Sequence, residues 1–173
     1  MTLFSHSRLS CFEKCPYKFK LKYLDKAEAH IKQSVEAFLG TIVHSALEKL
    51  YRDMRFKKLN TLEELLVWMR AEWEKNWNDD ILIVRKEYTK ENYMRMAEDY
   101  LRDYYKRYHP FNQARTIAIE ERVTINLDSE GKYRLQGYID RLDYAGKGVY
   151  EVHDYKTNFN IPVKQYLEDD LSL

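Results

Sequence analysis

Gly137-Tyr138-Ile139-Asp140-Arg141-Leu142-Asp143, followed one turn later by Val152-His153-Asp154-Tyr155-Lys156-Thr157, is the stretch whose reading decides the fold. Both segments are rich in apolar and β-branched or aromatic residues, and residues 145–148 between them have turn composition, so they read as two strands of one hairpin. Aspartate is a poor strand residue. Asp140, Asp143 and Asp154 in two adjacent apolar strands therefore need a partner, and a shared cation is the common one. Asp154 and Lys156 are two residues apart, which on a strand puts a carboxylate and an ammonium on one face, and Asp140 can join them from the neighbouring strand. Phosphodiester hydrolysis needs a cation to polarise the phosphoryl oxygen and acidify a water, plus a positive group to steady the transition state. Asp140 and Asp154 would hold magnesium or manganese, hard ions that prefer oxygen, while Lys156 would position the water or neutralise charge. The competing reading is a cross-strand salt bridge from Lys156 to one aspartate with the others in turns, and spacing alone leaves the two open.

Working outward, Ile117, Ile119, Val123, Ile125 and Leu127 alternate with polar neighbours as a half-buried strand does, and residues 128–131 read as a hairpin turn. The expected strands are thus 117–127, 133–144 and 149–157, with Pro162 closing the next loop and a helix beginning at Val163. Before Pro110 the period is helical. Two short helices are expected between Ser7 and Asp25, with Pro16 in the first turn of the second. A third helix from Val35 to Met54 lines up Phe38, Leu39, Ile42, Val43, Ala46, Leu47, Leu50 and Tyr51, with Gly40 permitting a close approach. Thr61 caps a fourth helix carrying Trp68, Trp73 and Trp77, and a fifth runs from Thr89 to Tyr108. Helices followed by a three-stranded, hairpin-linked sheet make a mixed α/β (α+β) domain rather than a doubly wound one. The expectation is one domain over 1–173, helical over 1–110 with a sheet core over 111–160.

Composition narrows the function. Hydrophobic residues make up 45% and charged residues 33% of the 173, which argues against disorder, and no apolar run approaches the roughly 20 residues that span a bilayer. With no signal-peptide pattern at the amino end, a cytoplasmic location and no membrane partner are expected. There is no glycine-rich phosphate loop, so nucleotide-driven motion and hydride chemistry are not expected. Net charge is only +1, but Arg8, Lys14, Lys18, Lys20, Lys22 and Lys26 interleave with Phe12, Tyr17, Phe19 and Tyr23, against only Glu13 and Asp25. That mixture suits a nucleic-acid backbone and its bases; a lysine-rich solvated helix face is the alternative. Cys11 and Cys15, four apart, cannot make a disulfide framework and share a helix face.

The strings "GYIDRLD" and "DYKT" resemble the PD-(D/E)xK nuclease signature in its RecB-like form. The resemblance implies a restriction-endonuclease-like fold, divalent-metal binding by Asp140 and Asp154 with the carbonyl of Tyr155 as a further ligand, and a catalytic Lys156. Gly40-Thr41-Ile42-Val43-His44-Ser45-Ala46-Leu47-Glu48 is similar to the family's first motif, which makes His44 a metal ligand on a helix. Taken without the family, a lone histidine on an apolar face reads as a satisfied core residue paired with Glu48. Ile119-Glu120-Glu121-Arg122-Val123 resembles the acidic position before the second strand. Alignment of Val123 selects Glu120, whereas strand parity puts Glu121 on the face of Ile119 and Val123, so both stay open.

At the amino end, Phe4-Ser5-His6-Ser7-Arg8-Leu9 and Cys15-Pro16-Tyr17-Lys18-Phe19 resemble the opening of the AddB-like and CRISPR-associated exonuclease branches, where Cys15 matches the first iron-sulfur ligand. A four-iron cluster needs four thiolates, so three would have to come from beyond Leu173; otherwise Cys11 and Cys15 are buried thiols. The family's glutamine-tyrosine helix motif does not match around Gln165, and that motif and the last core strand are likewise expected beyond Leu173. The family implies a magnesium- or manganese-dependent DNA exonuclease acting on single-stranded or free ends in recombination, repair or CRISPR adaptation, with a helicase or nuclease subunit as partner. Two other readings compete with it: an inactive DNA-binding scaffold of the same fold, and a helical interaction domain built on the tryptophan stripe.

Overall fold

The computed structural model describes residues 2–28 and 33–157. They form two compact units, each assembled from separate stretches of chain, one from 2–28 and 122–138 and the other from 33–121 and 139–157.

In the first unit, strand β1 (Thr2–Ser5) runs into helix α1 (His6–Lys14), whose first turn is capped by Ser5 Oγ accepting from the Arg8 N–H at 3.3 Å. Pro16 opens α2 (Pro16–Phe19) where its missing N–H costs nothing, and a π-helical turn at Lys20–Leu24 continues it. The two expected helices are there. β1 was not expected; four residues are too few for periodicity to show, and they are held by parallel pairing with a distant strand, Phe4 opposite Leu135. The basic-aromatic mixture is partly spent on the fold. The Arg8 guanidinium lies 5.6 Å and 5.3 Å from the rings of Phe19 and Tyr23, while Phe12 and Tyr17 remain exposed.

The second unit is built on α3 (Val35–Arg55), preceded by a two-residue strand β2 (Gln33–Ser34). The expected stripe of α3, from Phe38 to Tyr51, is buried as a block. Against it pack α4 (Leu62–Asn76) and α5 (Lys90–Tyr108), both started by capping boxes in which Thr61 pairs with Glu64 and Thr89 with Asn92. Trp73 is fully buried and meets Phe38 edge-on at 4.8 Å, with Trp77 stacked on it at 5.8 Å. The tryptophan stripe is therefore core, which removes the reading of an exposed helical interaction face. β3 (Ile81–Leu82) pairs with β2, and periodicity missed both of these two-residue strands as it missed β1.

The sheet follows the expected order. β4 (Arg115–Asn126) and β5 (Tyr133–Gly146) are neighbours joined by a turn in which Asp128 Oδ1 accepts from the Lys132 N–H at 2.8 Å and Gly131 takes a φ of +63° that its lack of a side chain permits. β6 (Val149–His153) pairs antiparallel with β5, Arg141 opposite His153 and Asp143 opposite Glu151. With β1 parallel and β6 antiparallel to β5, the sheet is mixed and the fold class is the mixed α/β one expected. One boundary needs correction. The strand expected over 149–157 stops at His153, because the N–H of Tyr155 is taken by the Asp140 carboxylate at 2.7 Å and not by a main-chain carbonyl. The loop at Pro162, the helix from Val163 and Gln165 lie outside the described residues.

Candidate active site

His44 sits mid-way along α3 on the edge of its buried stripe, half-buried. One turn earlier Gly40 makes room: a Cβ there would come within 3.1 Å of Thr157 Oγ1, so glycine lets the segment after β6 lie close to the helix, as its reading from the sequence anticipated. Tyr155, two residues before Thr157, lies in that segment. Its carbonyl sits 2.7 Å from His44 Nε2, its N–H donates to Asp140 Oδ2, and His44 Nδ1 is 3.4 Å from the same Asp140 oxygen. The imidazole is thus held between a strand carboxylate and a carbonyl. It is not paired with Glu48, as its reading as a core residue supposed; Glu48 instead pairs with Arg52 one turn on.

Glu120 completes the group. One ligand atom each from His44, Glu120 and Asp140 lie within 4.8 Å of one another. The sequence left Glu120 and Glu121 open, alignment selecting the first and parity setting the second on the face of Ile119 and Val123; the parity count does not carry through because Glu120 has a φ of +51°, which interrupts the alternation along β4. Gly40, Thr41, His44, Ser45, Glu48 and Glu120 line an open cleft of about 380 Å³ beside these groups. Asp154 and Lys156, two residues apart beyond the end of β6, are both more than half exposed and form an ion pair with each other. Asp154 thus stands outside the three-residue cluster, while the positive charge of Lys156 acts on Asp140.

The electrostatics describe crowded acids relieved by specific cations. Burial, then the charges of Asp140 and Glu48, push the Glu120 carboxyl above its usual range. Burial pushes Asp140 the same way, but hydrogen bonding from His44 and the Tyr155 N–H, with the charges of His44 and Lys156, outweighs it and holds the group low. Hydrogen bonding to Asp140 raises His44 against the opposing effect of burial. One imidazole nitrogen and two carboxylates form a donor set that could hold a divalent cation. Ligands about 2.1 Å from one ion can be up to roughly 4.2 Å apart, so three atoms within 4.8 Å close on an ion with little movement.

A pH dependence follows. His44 has a raised pKa in the fold, so the stability its contact with Asp140 lends is fully present below the unfolded value near 6.5 and is lost as pH rises through the raised one. Asp140 is lowered, so its contribution is present above the ordinary carboxylate range and is lost on acidification. In chelator, the melting-temperature advantage of the wild type over His44→Gln should therefore shrink above about pH 6.5. Added manganese should raise the melting temperature increasingly over the same range, because protons compete for the imidazole. A pH-independent difference would count against the His44–Asp140 contact.

A second acidic group, Asp143, Glu151 and His153, also has ligand atoms within 4.8 Å. Here the partner of Asp143 is already present, since Arg141 Nε lies 3.1 Å from Asp143 Oδ2 with both side chains buried. Burial, then the charge of Arg141, lowers His153. Of the strand aspartates, Asp143 has a guanidinium where a cation was the expected reason. The amino-terminal cysteines also differ from expectation. Cys15 is exposed at the junction of α1 and α2, where its Sγ accepts from the Lys18 N–H at 3.4 Å, and Cys11 is only half-buried, so they are not a pair of buried thiols. The sequence reading passed over Arg141 and the side chain of Tyr155; an arginine two residues before an aspartate in an otherwise apolar strand is the signal that could have drawn attention to the first.

Residues 3–171 match the model of the PD-(D/E)XK nuclease superfamily. The chain is also 30% identical over 174 aligned positions to an ATP-dependent helicase/deoxyribonuclease subunit of Carboxydothermus hydrogenoformans, an alignment covering 88% of this chain and 16% of that protein. It spans about one-sixth of that relative's length. The family match spans nearly the whole chain, the helix of His44 and the hairpin of Asp140 included, and on this ground the chain belongs to the PD-(D/E)XK nuclease superfamily.

Proposed function

We propose that this chain is a divalent-metal-dependent DNA nuclease that hydrolyses phosphodiester bonds, working as a RecB-like exonuclease on single-stranded or free ends in recombination, repair or CRISPR adaptation. The observation that carries the reading is the convergence of His44, Glu120 and Asp140 beside an open cleft, with the charge of Lys156 reaching Asp140. His44, Glu120 and Asp140 would hold magnesium or manganese, with the Tyr155 carbonyl and Asp154 adjoining. The nitrogen ligand favours manganese of the two. When bound, the ion supplies Lewis acidity toward a phosphoryl oxygen and a water acidified toward neutrality.

The chain's own groups do the rest. Asp140, held by the Tyr155 N–H, presents a fixed negative charge. Glu120, buried and crowded by the charges of Asp140 and Glu48, is the carboxylate whose repulsion a cation at this point would relieve. Lys156, more than half exposed and paired with Asp154 where water screens the pair, can turn its ammonium to the charge that builds on a phosphate. The relative's name joins a helicase to a deoxyribonuclease, which supports DNA as substrate and a helicase or nuclease subunit as partner. No helix among the described residues is long and apolar enough to cross a membrane.

Incubation with end-labelled single-stranded DNA and manganese tests it, with chelator as control. Cleavage should require the metal, and Lys156→Ala should lower the turnover by about 10²–10³-fold while manganese affinity is kept. Cleavage surviving both Lys156→Ala and Asp154→Ala would place the chemistry elsewhere. A wild type inert with every metal that still retards DNA would favour the scaffold.

A further inference from the structure

Arg141 is almost fully buried, at 4% exposure, next to Asp140 in β5 but on the opposite face of the strand. Removing a guanidinium from water costs several kcal/mol before any contact is made. Its surroundings are specific. The guanidinium carbon lies 3.9 Å from the centre of the Tyr51 ring, Nη1 donates to Tyr104 Oη at 2.7 Å and to Tyr155 Oη at 3.2 Å, and Asp143 supplies the opposing charge. Tyr51 and Tyr104 share a hydrogen bond of 2.8 Å, so the arginine ties α3 and α5 to Tyr155.

Tyr155 lies past the last laddered residue of β6, so no strand pairing holds its backbone in place. Yet that backbone makes both contacts that set the candidate site: its N–H orients Asp140 and its carbonyl meets His44. What fixes Tyr155 is its side chain. The ring packs edge-on against His44 at 5.6 Å and Tyr104 at 5.7 Å, and its hydroxyl is anchored by Arg141. Burial pushes the Tyr155 phenol up, so it remains a neutral acceptor for the guanidinium.

We propose that Arg141 is a positioning residue for the nuclease site: by anchoring the Tyr155 side chain it holds the Tyr155 main chain where it sets the orientation of Asp140 and His44. Its consequence for metal affinity rests on the metal-dependent reading above; the positioning itself does not. Two variants test it. Tyr155→Phe keeps the ring and removes only the oxygen that accepts from Arg141, and Arg141→Met removes the anchor.

In metal-free protein, amide hydrogen exchange at residue 155 should accelerate about tenfold or more in Tyr155→Phe, with α3 amides unchanged. Manganese affinity by calorimetry should weaken about 10- to 100-fold, with turnover largely recovered at saturating manganese. The double variant should weaken affinity no further than Arg141→Met alone, since both changes break one link. If Arg141→Met does not fold, Tyr155→Phe decides alone. Unchanged exchange at residue 155 overturns the proposal, as does a lowered melting temperature with exchange and metal affinity intact, the mark of a merely structural arginine. Faster exchange in a protein whose wild type binds no manganese upholds the positioning and sinks the metal reading instead.

Discussion

Asp140→Asn is expected to lower manganese-dependent cleavage of single-stranded DNA by about 10³-fold or more while leaving the protein folded. Asparagine preserves shape and an oxygen that can still accept from the Tyr155 N–H, so the local backbone has no reason to move. What disappears is the charge. Asp140 is the carboxylate nearest His44, and its charge raises both His44 and Glu120, so its loss leaves His44 with Glu120 as its remaining counter-charge in the cluster and an ion with one anionic ligand fewer. Stability should change little, because an acid crowded against Glu120 has been removed together with a favourable partner of His44. Calorimetry with manganese and a cleavage time course measure the two effects separately. Full activity in Asp140→Asn would remove Asp140 from the chemistry and, with it, the arrangement proposed for the site.

Three residues further along β5, Asp143→Ala should do the reverse and cost about 3–5 kcal/mol of folding stability. Arg141 would stay buried among Tyr51, Tyr104 and Tyr155 with no carboxylate at its Nε, and an unpaired buried charge is among the most expensive defects a fold can carry. Against a typical total of about 5–15 kcal/mol, such a loss leaves the protein marginal. Urea unfolding should show a much lower midpoint with the slope unchanged. A loss under about 1 kcal/mol would mean that the tyrosine hydroxyls and the Tyr51 face satisfy the guanidinium without Asp143. The double variant Arg141→Met/Asp143→Ala should recover part of the stability, since a buried ion pair replaced as a unit is often close to neutral.

Both predictions concern residues of one quoted string, and from the string alone they could not be told apart. Asp140 and Asp143 lie in the same apolar strand and invite the same question of what compensates them. The answer lies across the fold: α3 brings His44 to the first, while the second finds its guanidinium two residues back on its own strand. In the same way α3 by itself offers Glu48 as the partner of His44, and the partners it has instead, Asp140 and the Tyr155 carbonyl, follow from the segment after β6 lying against Gly40.

The amino-acid sequence by itself determined the elements with strong local periodicity and caps: the buried stripe of α3, the helix starts at Thr61 and Thr89, the change from helix to sheet after Pro110, and the hairpin that carries Asp140. These depend on neighbours a few residues apart, and spacing is enough to reveal them. Tertiary structure alone decided that Glu120 and not Glu121 joins the cluster, since a positive φ breaks the alternation that counting assumes. It also decided that β6 ends at His153, since a side chain from another strand captures the Tyr155 N–H, and that β1 exists, since four residues form a strand only where a distant one offers its edge. Each of these is settled by a hydrogen bond or a charge contact between residues far apart in the chain, which local pattern cannot register.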